Sequence, residues 1–295
     1  MKIRQFCLVF LLVVVGYAAF EGFRAFKNRN DGFTVEKTVS VVPNDPRWEI
    51  TTSKNSLILA NAVLNQPWYY LGYGFQCYAF ISQDNQYVLK LLRHQRLCPP
   101  SVFDVLLFKS AKKTTVRQER VEGLFQSLKI AIEDIPHETG ILFVHLNKTA
   151  GHYRPIQLHN KCGDEFQISL DDREFVLQRK AELVKPVISS LMNEGKIELA
   201  KARIDQIFTL LAETAKKGVK DLDRALIKKN NLGFLEDRAI YIDAGKFVKV
   251  SKVSQEEFKV DLTRLRALRK WLMQNYPDLA NYFDKAQKKA IDSFE

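Results

Sequence analysis

Two short segments in the first third of the chain have residue types that suit phosphate binding. Gly72 and Gly74 lie between two predicted strands and, because glycine has no Cβ, allow backbone N–H groups to approach a polyphosphate closely. The alternative is an ordinary glycine-containing hairpin turn. Lys90 lies 16 residues after Gly74, on a predicted strand with apolar neighbours. Its ammonium either occupies the exposed face of an alternating strand or is held for a charged partner.

Acids and amides are concentrated in two later loops. Asp221, Asp223, Asn230 and Asn231 share one loop after a long predicted helix, and Asp243 directly follows a short apolar strand. Carboxylate and amide oxygens are the ligands that Mg²⁺ and Ca²⁺ prefer. Loops rich in Asp and Asn are also common simply as turns. Each feature is weak by itself, so their order along the chain has to be considered.

Apolar patterning predicts the elements that position these loops. In the first half it predicts a three-stranded meander, a helix whose apolar residues repeat at helical spacing, a further strand, a hairpin and a strand leading out of the sheet. These are residues 68–71, 78–82 and 87–92, then 121–135, 140–146, 155–170 and 175–178. Pro186 fits the first turn of a helix that starts after the last strand. The second half is predicted to be helical at 197–211, 265–272 and 279–290, with a strand at 239–242.

This order of parts resembles the protein-kinase-like superfamily. A glycine loop, a strand lysine, a helix with the acids Glu119 and Glu122, further strands, a long helix, an Asp/Asn loop and an Asp-Ala-Gly after a strand follow one another. The resemblance covers about residues 71–245 and lies in order and spacing more than in strict motif matches. It implies an α+β, two-lobed fold with a β-rich N-lobe at 60–178 and a short helical C-lobe at 179–295.

The resemblance also implies roles for the first group of residues. Gly72 and Gly74 would lie over the phosphates of ATP, and Lys90 would hold the α- and β-phosphates. Glu119 or Glu122 would be the ion-pair partner of this lysine. The implied activity is transfer of phosphate from ATP to a hydroxyl of a protein or small molecule.

The acids and amides receive the remaining roles by the same resemblance. Asp243 would bind Mg²⁺, and Asn231 or Asn230 would provide a second ligand position. Asp223 would accept the proton of the attacking hydroxyl. Phosphoryl transfer requires mainly positioning and charge neutralisation, so a lysine, carboxylates and an amide can suffice.

Several departures from the kinase pattern favour an atypical member. Cys77 stands where a third glycine is common, Asp221-Leu222-Asp223 replaces His-Arg-Asp, and Ala244 replaces the usual Phe. The spacing from Asp223 to Asn231 is 8 residues, against about 5 in the kinase pattern. A catalytically inactive pseudokinase that serves as an interaction module therefore remains the alternative.

The N-terminus predicts a targeting segment. Lys2 and Arg4 precede an apolar run of 15 residues, 6–20, which is shorter than the about 20 residues of a spanning helix and matches a signal-peptide core of about 7 to 15. Residues 1–26 are therefore expected to be a signal peptide or a retained signal-anchor helix, followed by a connector at 27–59. The protein is expected to be membrane-anchored or exported.

Composition excludes several classes of protein. With 46% apolar residues the chain can bury a core, which excludes wholesale disorder. The net charge is +11, of which +4 lies in residues 246–295. No nucleic-acid-binding motif accompanies this charge, and the four cysteines lack zinc-ligand spacing. The expected partners are a nucleotide, an acceptor of unknown identity and a membrane contacted by the N-terminal segment.

Overall fold

The computed structural model describes residues 10, 13–22, 29–51, 54–94, 111–223, 226–227 and 230–294, with the backbone alone for 111–117. Much of the predicted targeting segment, 1–26, lies outside these ranges. Residues 13–22 are helical and mostly exposed. Within the described ranges, no helix combines the length and the apolarity that crossing a membrane requires.

The described residues form a mixed α+β fold whose helices lie mostly in the C-terminal half. The strands are β1 (Trp68–Tyr73), β2 (Cys77–Ser82), β3 (Tyr87–Leu92), β4 (Ile141–His145), β5 (Ile156–His159), β6 (Glu165–Ile168), β7 (Phe175–Arg179), β8 (Glu182–Leu183), β9 (Val219–Asp221), β10 (Leu232–Leu235), β11 (Arg238–Tyr241) and β12 (Phe247–Lys249). The helices are α1 (Lys54–Leu64), α2 (Ala111–Glu133), α3 (Pro136–Thr139), α4 (Val184–Asn193), α5 (Ile197–Lys216), α6 (Gln255–Leu262), α7 (Arg266–Asn275) and α8 (Pro277–Asp292).

The main sheet is curled and has seven strands in the order β4-β7-β3-β2-β1-β5-β6. β1, β2 and β3 pair as an antiparallel meander, and β5 pairs with β6, so the predicted meander and hairpin are both confirmed. β5 adds to the outer side of β1 in parallel. β1 is therefore an interior strand, with a register irregularity between Tyr70 and Gly72.

The two faces of β3 contact different cores, and this placement determines where its lysine lies. Leu89 and Leu91 belong to a cluster that also contains residues of α1 and the meander. Leu92 belongs to a second cluster, which contains α2 and most of the C-terminal helices. Because side chains alternate along a strand, Lys90 lies on the face opposite Leu89 and Leu91. It therefore faces α2 and the C-terminal half.

The segment predicted as a connector, 27–59, packs onto both cores. Phe33 is buried in the cluster with α1, where its ring meets the rings of Tyr78 and Phe80 edge to face. Trp48 is buried in the cluster with α2 and packs edge to face on Phe125. Aromatic residues spaced along a polar segment thus attach it to the folded body.

Two small sheets carry the acidic and amide loops. β10 and β11 form a hairpin whose outer partner is β8, the strand that follows β7 after two residues. β9 and β12 form a two-stranded ribbon. At its start Gly218 has φ +67, and a Cβ there would lie 2.6 Å from the carbonyl oxygen of Val250. This close approach requires glycine and brings the segment after β12 next to β9.

Candidate functional site

The glycine turn between β1 and β2, residues 74–76, is anchored by hydrogen bonds and by the side chain of Arg93. The N–H of Gly74 donates to the carbonyl of Cys77 at 2.9 Å. Arg93 Nη1 donates to the carbonyl of Gly74 at 2.6 Å, and its guanidinium lies over the rings of Tyr73 and Tyr78. Gly72 lies within β1 and pairs with Ala79, so the prediction that it lies between the strands was wrong. A Cβ at either Gly72 or Gly74 would meet nothing within 4 Å. The turn is therefore anchored on one side and open on the other.

A hydrogen bond from Lys90 connects the main sheet to the loop that contains Asp243. The Nζ of this lysine donates to the carbonyl oxygen of Ile242, a residue 152 positions later in the chain. Ile242 immediately precedes Asp243, so the strand lysine and the Asp-Ala-Gly turn meet at one place. Lys90 is half-buried, and the hydrogen-bond partner that its ammonium has is a neutral carbonyl and not a charged group.

A small cleft lies at this meeting point. Its volume is about 20 Å³, room for about one water, and its lining residues come from the glycine turn, β3, α2, the β4–β7 pair and the Asp-Ala-Gly turn. Burial raises the pKa of the Cys77 thiol to about 11, an effect that Lys90 opposes and Asp243 reinforces. Cys77, Lys90 and Asp243 thus share one electrostatic environment.

Asp223 and Asn231 form the second half of the site. Both are buried, and Asn231 Nδ2 donates to Asp223 Oδ2 at 2.8 Å. Asn231 is also bound to the Asp243 side of the site, because its carbonyl accepts from the N–H of Ile242 at 2.8 Å. Asn230, in contrast, is exposed in the preceding turn with φ +54. The eight-residue interval therefore still permits direct contact between the acid and Asn231.

Arg264, from the 3-10 turn after α6, holds the Asp221–Asp223 loop. Its Nη1 donates to the carbonyl of Asp221 at 2.6 Å, to Asp221 Oδ2 at 3.1 Å and to the carbonyl of Asp223 at 3.2 Å. Asp221 Oδ1 accepts from the N–H of Asp223 at 2.9 Å. Asp221 is thus a structural acid that shapes the loop, and Asp223 is the acid beside Asn231.

Asp221 gives the protein a specific pH dependence of stability. Burial raises the pKa of its carboxyl from 3.8 to about 6, although Arg264 and the N–H of Asp223 oppose the rise. Between these pH values the folded state binds more protons than the unfolded chain. The stabilising contribution is therefore complete below about pH 4 and is lost as the pH rises through about 6, by about 3 kcal/mol in all.

The matched variant Asp221→Asn isolates this effect. We expect the unfolding free energy of the wild type, measured by denaturant titration, to fall relative to that of Asp221→Asn as the pH is raised from 4 to 7. Acids that do not interact with Asp221 contribute alike to both proteins, so their contributions cancel in the comparison. A difference that stays constant across this range would show that Asp221 is ionised throughout.

Ser127 of α2 connects the helix to the Asp-Ala-Gly turn. Its hydroxyl is fully buried, donates to the carbonyl of Ala244 at 2.6 Å and accepts from the N–H of Phe247 at 2.6 Å. Leu124, about one turn before Ser127, and Leu128, the residue directly after it, line the cleft. The α2 residues that line the cleft are thus apolar.

The two acids predicted as partners of Lys90 lie elsewhere on α2. Glu119 is exposed. Glu122 Oε1 lies 3.5 Å from Arg47 Nη2 and 3.4 Å from Gln118 Nε2. Among the described residues, neither carboxylate forms an ion pair with Lys90, whose ammonium is bound to the Ile242 carbonyl instead.

The donors around the cleft suit Mg²⁺ and phosphate groups in chemical type, although the enclosed volume of about 20 Å³ is itself too small for a nucleotide. Asp243 is exposed, and one of its oxygens accepts from the N–H of Gly245 at 3.2 Å. The Asn231 bond to Asp223 uses the amide nitrogen, so the amide oxygen keeps its ability to bind a cation. Mg²⁺ is commonly held by one or two carboxylates together with substrate phosphates. In the described part of the chain, no three His, Cys, Asp or Glu side chains are grouped to hold a metal by themselves.

Three residues of this site were not selected from the sequence. Ser127 and Arg264 have no motif around them in the sequence. Lys246 directly follows the Asp-Ala-Gly turn, and its Nζ lies 3.6 Å from Asp223 Oδ1. Its position next to a candidate metal-binding turn was the one available signal.

Comparison with known proteins gives a structural likeness but no sequence match. No protein-family model matches the sequence, and no curated protein matches it. Two solved structures similar to this chain are of WbdD, one of them described as a bifunctional kinase-methyltransferase. Each is 16% identical, with TM-scores of 0.35 and 0.36 over 76% and 75% of this chain. The match covers 46% of each WbdD chain, so this chain corresponds to less than half of their length.

Proposed function

We propose that this chain is a kinase-like protein that binds ATP·Mg²⁺ between its β-rich half and its helical half and transfers phosphate to a hydroxyl. The observation that carries the proposal is the contact of Lys90 with the carbonyl of Ile242. It brings together a strand lysine and an acid-bearing turn from distant parts of the chain. Gln76 and Cys77, which follow the glycines, border the same cleft.

The order and pairing of the elements support the same proposal. The glycine turn joins β1 to β2, β3 carries the lysine, and β7 leads through β8 to the β10 strand. The β10–β11 hairpin then places Asn231 before it and Asp243 after it. The kinase-like resemblance implies two lobes with these polar residues at their junction, and this order of elements is consistent with that arrangement.

Each residue has a chemical role in this proposal. Lys90 would hold the α- and β-phosphates, and Asp243 with the amide oxygen of Asn231 would hold Mg²⁺, which supplies charge neutralisation at the phosphates when bound. Asp223 would accept the proton of the acceptor hydroxyl while Asn231 fixes the orientation of its carboxylate. Apolar residues of α2 and β7 would exclude water from the inner end of the cleft.

A second candidate is a nucleotide-binding pseudokinase that acts through its surface. It is favoured by the positions of Glu119 and Glu122, which leave Lys90 without a carboxylate partner among the described residues. Nucleotide binding without phosphate transfer to the chain itself or to any added acceptor would support this candidate.

Nucleotide binding is tested by thermal unfolding of the purified protein with and without MgATP. Binding raises the unfolding free energy by about 1.4 kcal/mol at ten times the Kd, which corresponds to a rise in Tm of about 2 °C for a chain of this size. We expect Lys90→Ala and Asp243→Ala to abolish this rise because each removes a phosphate or metal contact.

Lys148→Ala serves as the control, since Lys148 is an exposed lysine in the loop after β4. It should retain the full rise in Tm. Absence of any shift in the wild type at millimolar MgATP, or equal shifts in the wild type and both cleft variants, would refute the proposed nucleotide site.

A further inference from the structure

Lys246 is placed beside Asp223 by the backbone of the β9–β12 ribbon. Phe247 of β12 pairs with Asp221 of β9, and the N–H of Leu222 donates to the carbonyl of Lys246 at 3.0 Å. On its other side, the chain is held by the bond from the N–H of Phe247 to the buried hydroxyl of Ser127. The Cα of Lys246 is thus fixed by neighbours on both sides.

The ammonium of Lys246 is less tightly engaged than those of its neighbours. Its Nζ lies 3.6 Å from Asp223 Oδ1, and 48% of its side chain is exposed. Lys220 and Lys249 on the same ribbon form ion pairs at 2.6 and 2.7 Å with Glu257 and Asp134. At 3.6 Å the Lys246 contact is longer than a direct hydrogen bond, so its N–H donors are available to an anionic ligand.

The side chains of Asn231 and Lys246 approach different carboxylate oxygens of Asp223. Asn231 Nδ2 donates to Oδ2, whereas Lys246 faces Oδ1. An anion that reaches Lys246 would therefore come close to the carboxylate of Asp223. In the proposed function, the only such anion that must come close to this carboxylate is the phosphoryl group during its transfer to the acceptor.

We propose that Lys246 is a catalytic residue that contacts the transferring phosphoryl group; this inference rests on the proposed function. In that step the acceptor oxygen forms a bond to the γ-phosphorus and its proton passes to Asp223. The bond between the γ-phosphorus and the β–γ bridging oxygen breaks, and ADP leaves with the electron pair. Lys246 neutralises negative charge on the non-bridging oxygens of the phosphoryl group, where fixed charges lower the barrier most.

The test compares Lys246→Met, Lys246→Arg and Lys249→Met in the full chain. ATP and ADP affinities are measured with Mg²⁺ by calorimetry, and transfer or hydrolysis is followed with γ-labelled ATP. We expect Lys246→Met to slow turnover by about 100-fold, to bind ADP within twofold of the wild type and to lose any preference for ATP over ADP. Lys246→Arg should recover part of the rate, and Lys249→Met should match the wild type.

Three results would overturn the inference. Turnover and ATP preference at wild-type levels in Lys246→Met would exclude a phosphate contact while leaving the proposed function intact. Equal loss of ATP and ADP binding together with a lower Tm would indicate a structural role only. A wild type that binds neither nucleotide would remove both the proposed function and this inference.

Discussion

Arg264→Met is expected to lower the free energy of unfolding by about 3–5 kcal/mol, the cost of removing one partner from a buried ion pair. The side chains of Arg264 and Asp221 are only 11% and 4% exposed. Without the guanidinium, the Asp221 carboxylate and two loop carbonyls lose a shared donor, and each unsatisfied buried group carries its own desolvation cost. Urea titration near pH 7, where Asp221 is ionised, measures the loss.

Arg269→Met is the matched control for this variant. Arg269 makes a two-pronged ion pair with Asp284 at 2.6 and 2.7 Å, but both side chains are more than 40% exposed. Exposed pairs contribute about 1 kcal/mol or less. The double variant Asp221→Asn with Arg264→Met should lose less than the sum of the single changes, because the uncompensated carboxylate is absent. Equal losses of unfolding free energy for Arg264→Met and Arg269→Met would contradict the proposed role of Arg264 in holding the Asp221–Asp223 loop.

Asp223→Asn is expected to reduce phosphate transfer by about 10²–10⁴-fold, the usual contribution of a positioned general base. The substitution keeps the shape of the side chain, and its amide oxygen can still accept the bond from Asn231 Nδ2. Binding of MgATP and the Tm should therefore change little. The measurement is the rate of phosphate incorporation alongside nucleotide affinity for the same preparation.

Asp237→Asn controls for the loss of one carboxylate elsewhere in the C-terminal half of the chain. Asp237 is exposed in the turn between β10 and β11, away from Asp223, and its replacement should leave transfer unchanged. Transfer by Asp223→Asn at the wild-type rate would exclude Asp223 as the proton acceptor. Nucleotide binding by the wild type with no transfer to any acceptor would favour the pseudokinase alternative instead.

Local periodicity was sufficient for the longer elements of this fold. The meander, the helix α2, the β5–β6 hairpin, the strand β7 and the helix α4 with Pro186 near its start all lie where the pattern predicts. The meander, the hairpin and the helices have alternating or helical spacing of apolar residues, whereas β7 is a short continuous apolar run. Their side-chain pattern is therefore visible without knowledge of the partners they pack against.

The short strands were not predictable in the same way. β9 and β12 have three residues each, which is too few to display an alternation, and all four residues of β10 are buried. The helix α6 did have a detectable start signal, because Ser254 and Glu257 form a capping box. This helix contains few apolar residues, so its sequence shows no clear amphipathic face.

The candidate site shows what spacing along the chain cannot supply. Residues that follow one another in a motif-like order, such as Lys90 and Asp243, could be selected from the sequence and lie at one cleft. Which face of α2 points toward the Asp-Ala-Gly turn depends on packing. The sequence predicted that Glu119 or Glu122 would face the site, whereas in the structure Ser127 contacts this turn. Arg264 acts on a loop about 40 residues earlier, a contact that no local pattern encodes.

The buried hydroxyl of Ser127 has a mechanical consequence. Because it donates to Ala244 and accepts from Phe247, the helix and the chain on both sides of Lys246 move as one body unless two buried hydrogen bonds break. Breaking them would leave polar groups unsatisfied at about 1–3 kcal/mol each. A ligand or protein that binds the outer surface of α2 and shifts the helix would therefore move Asp243 with it.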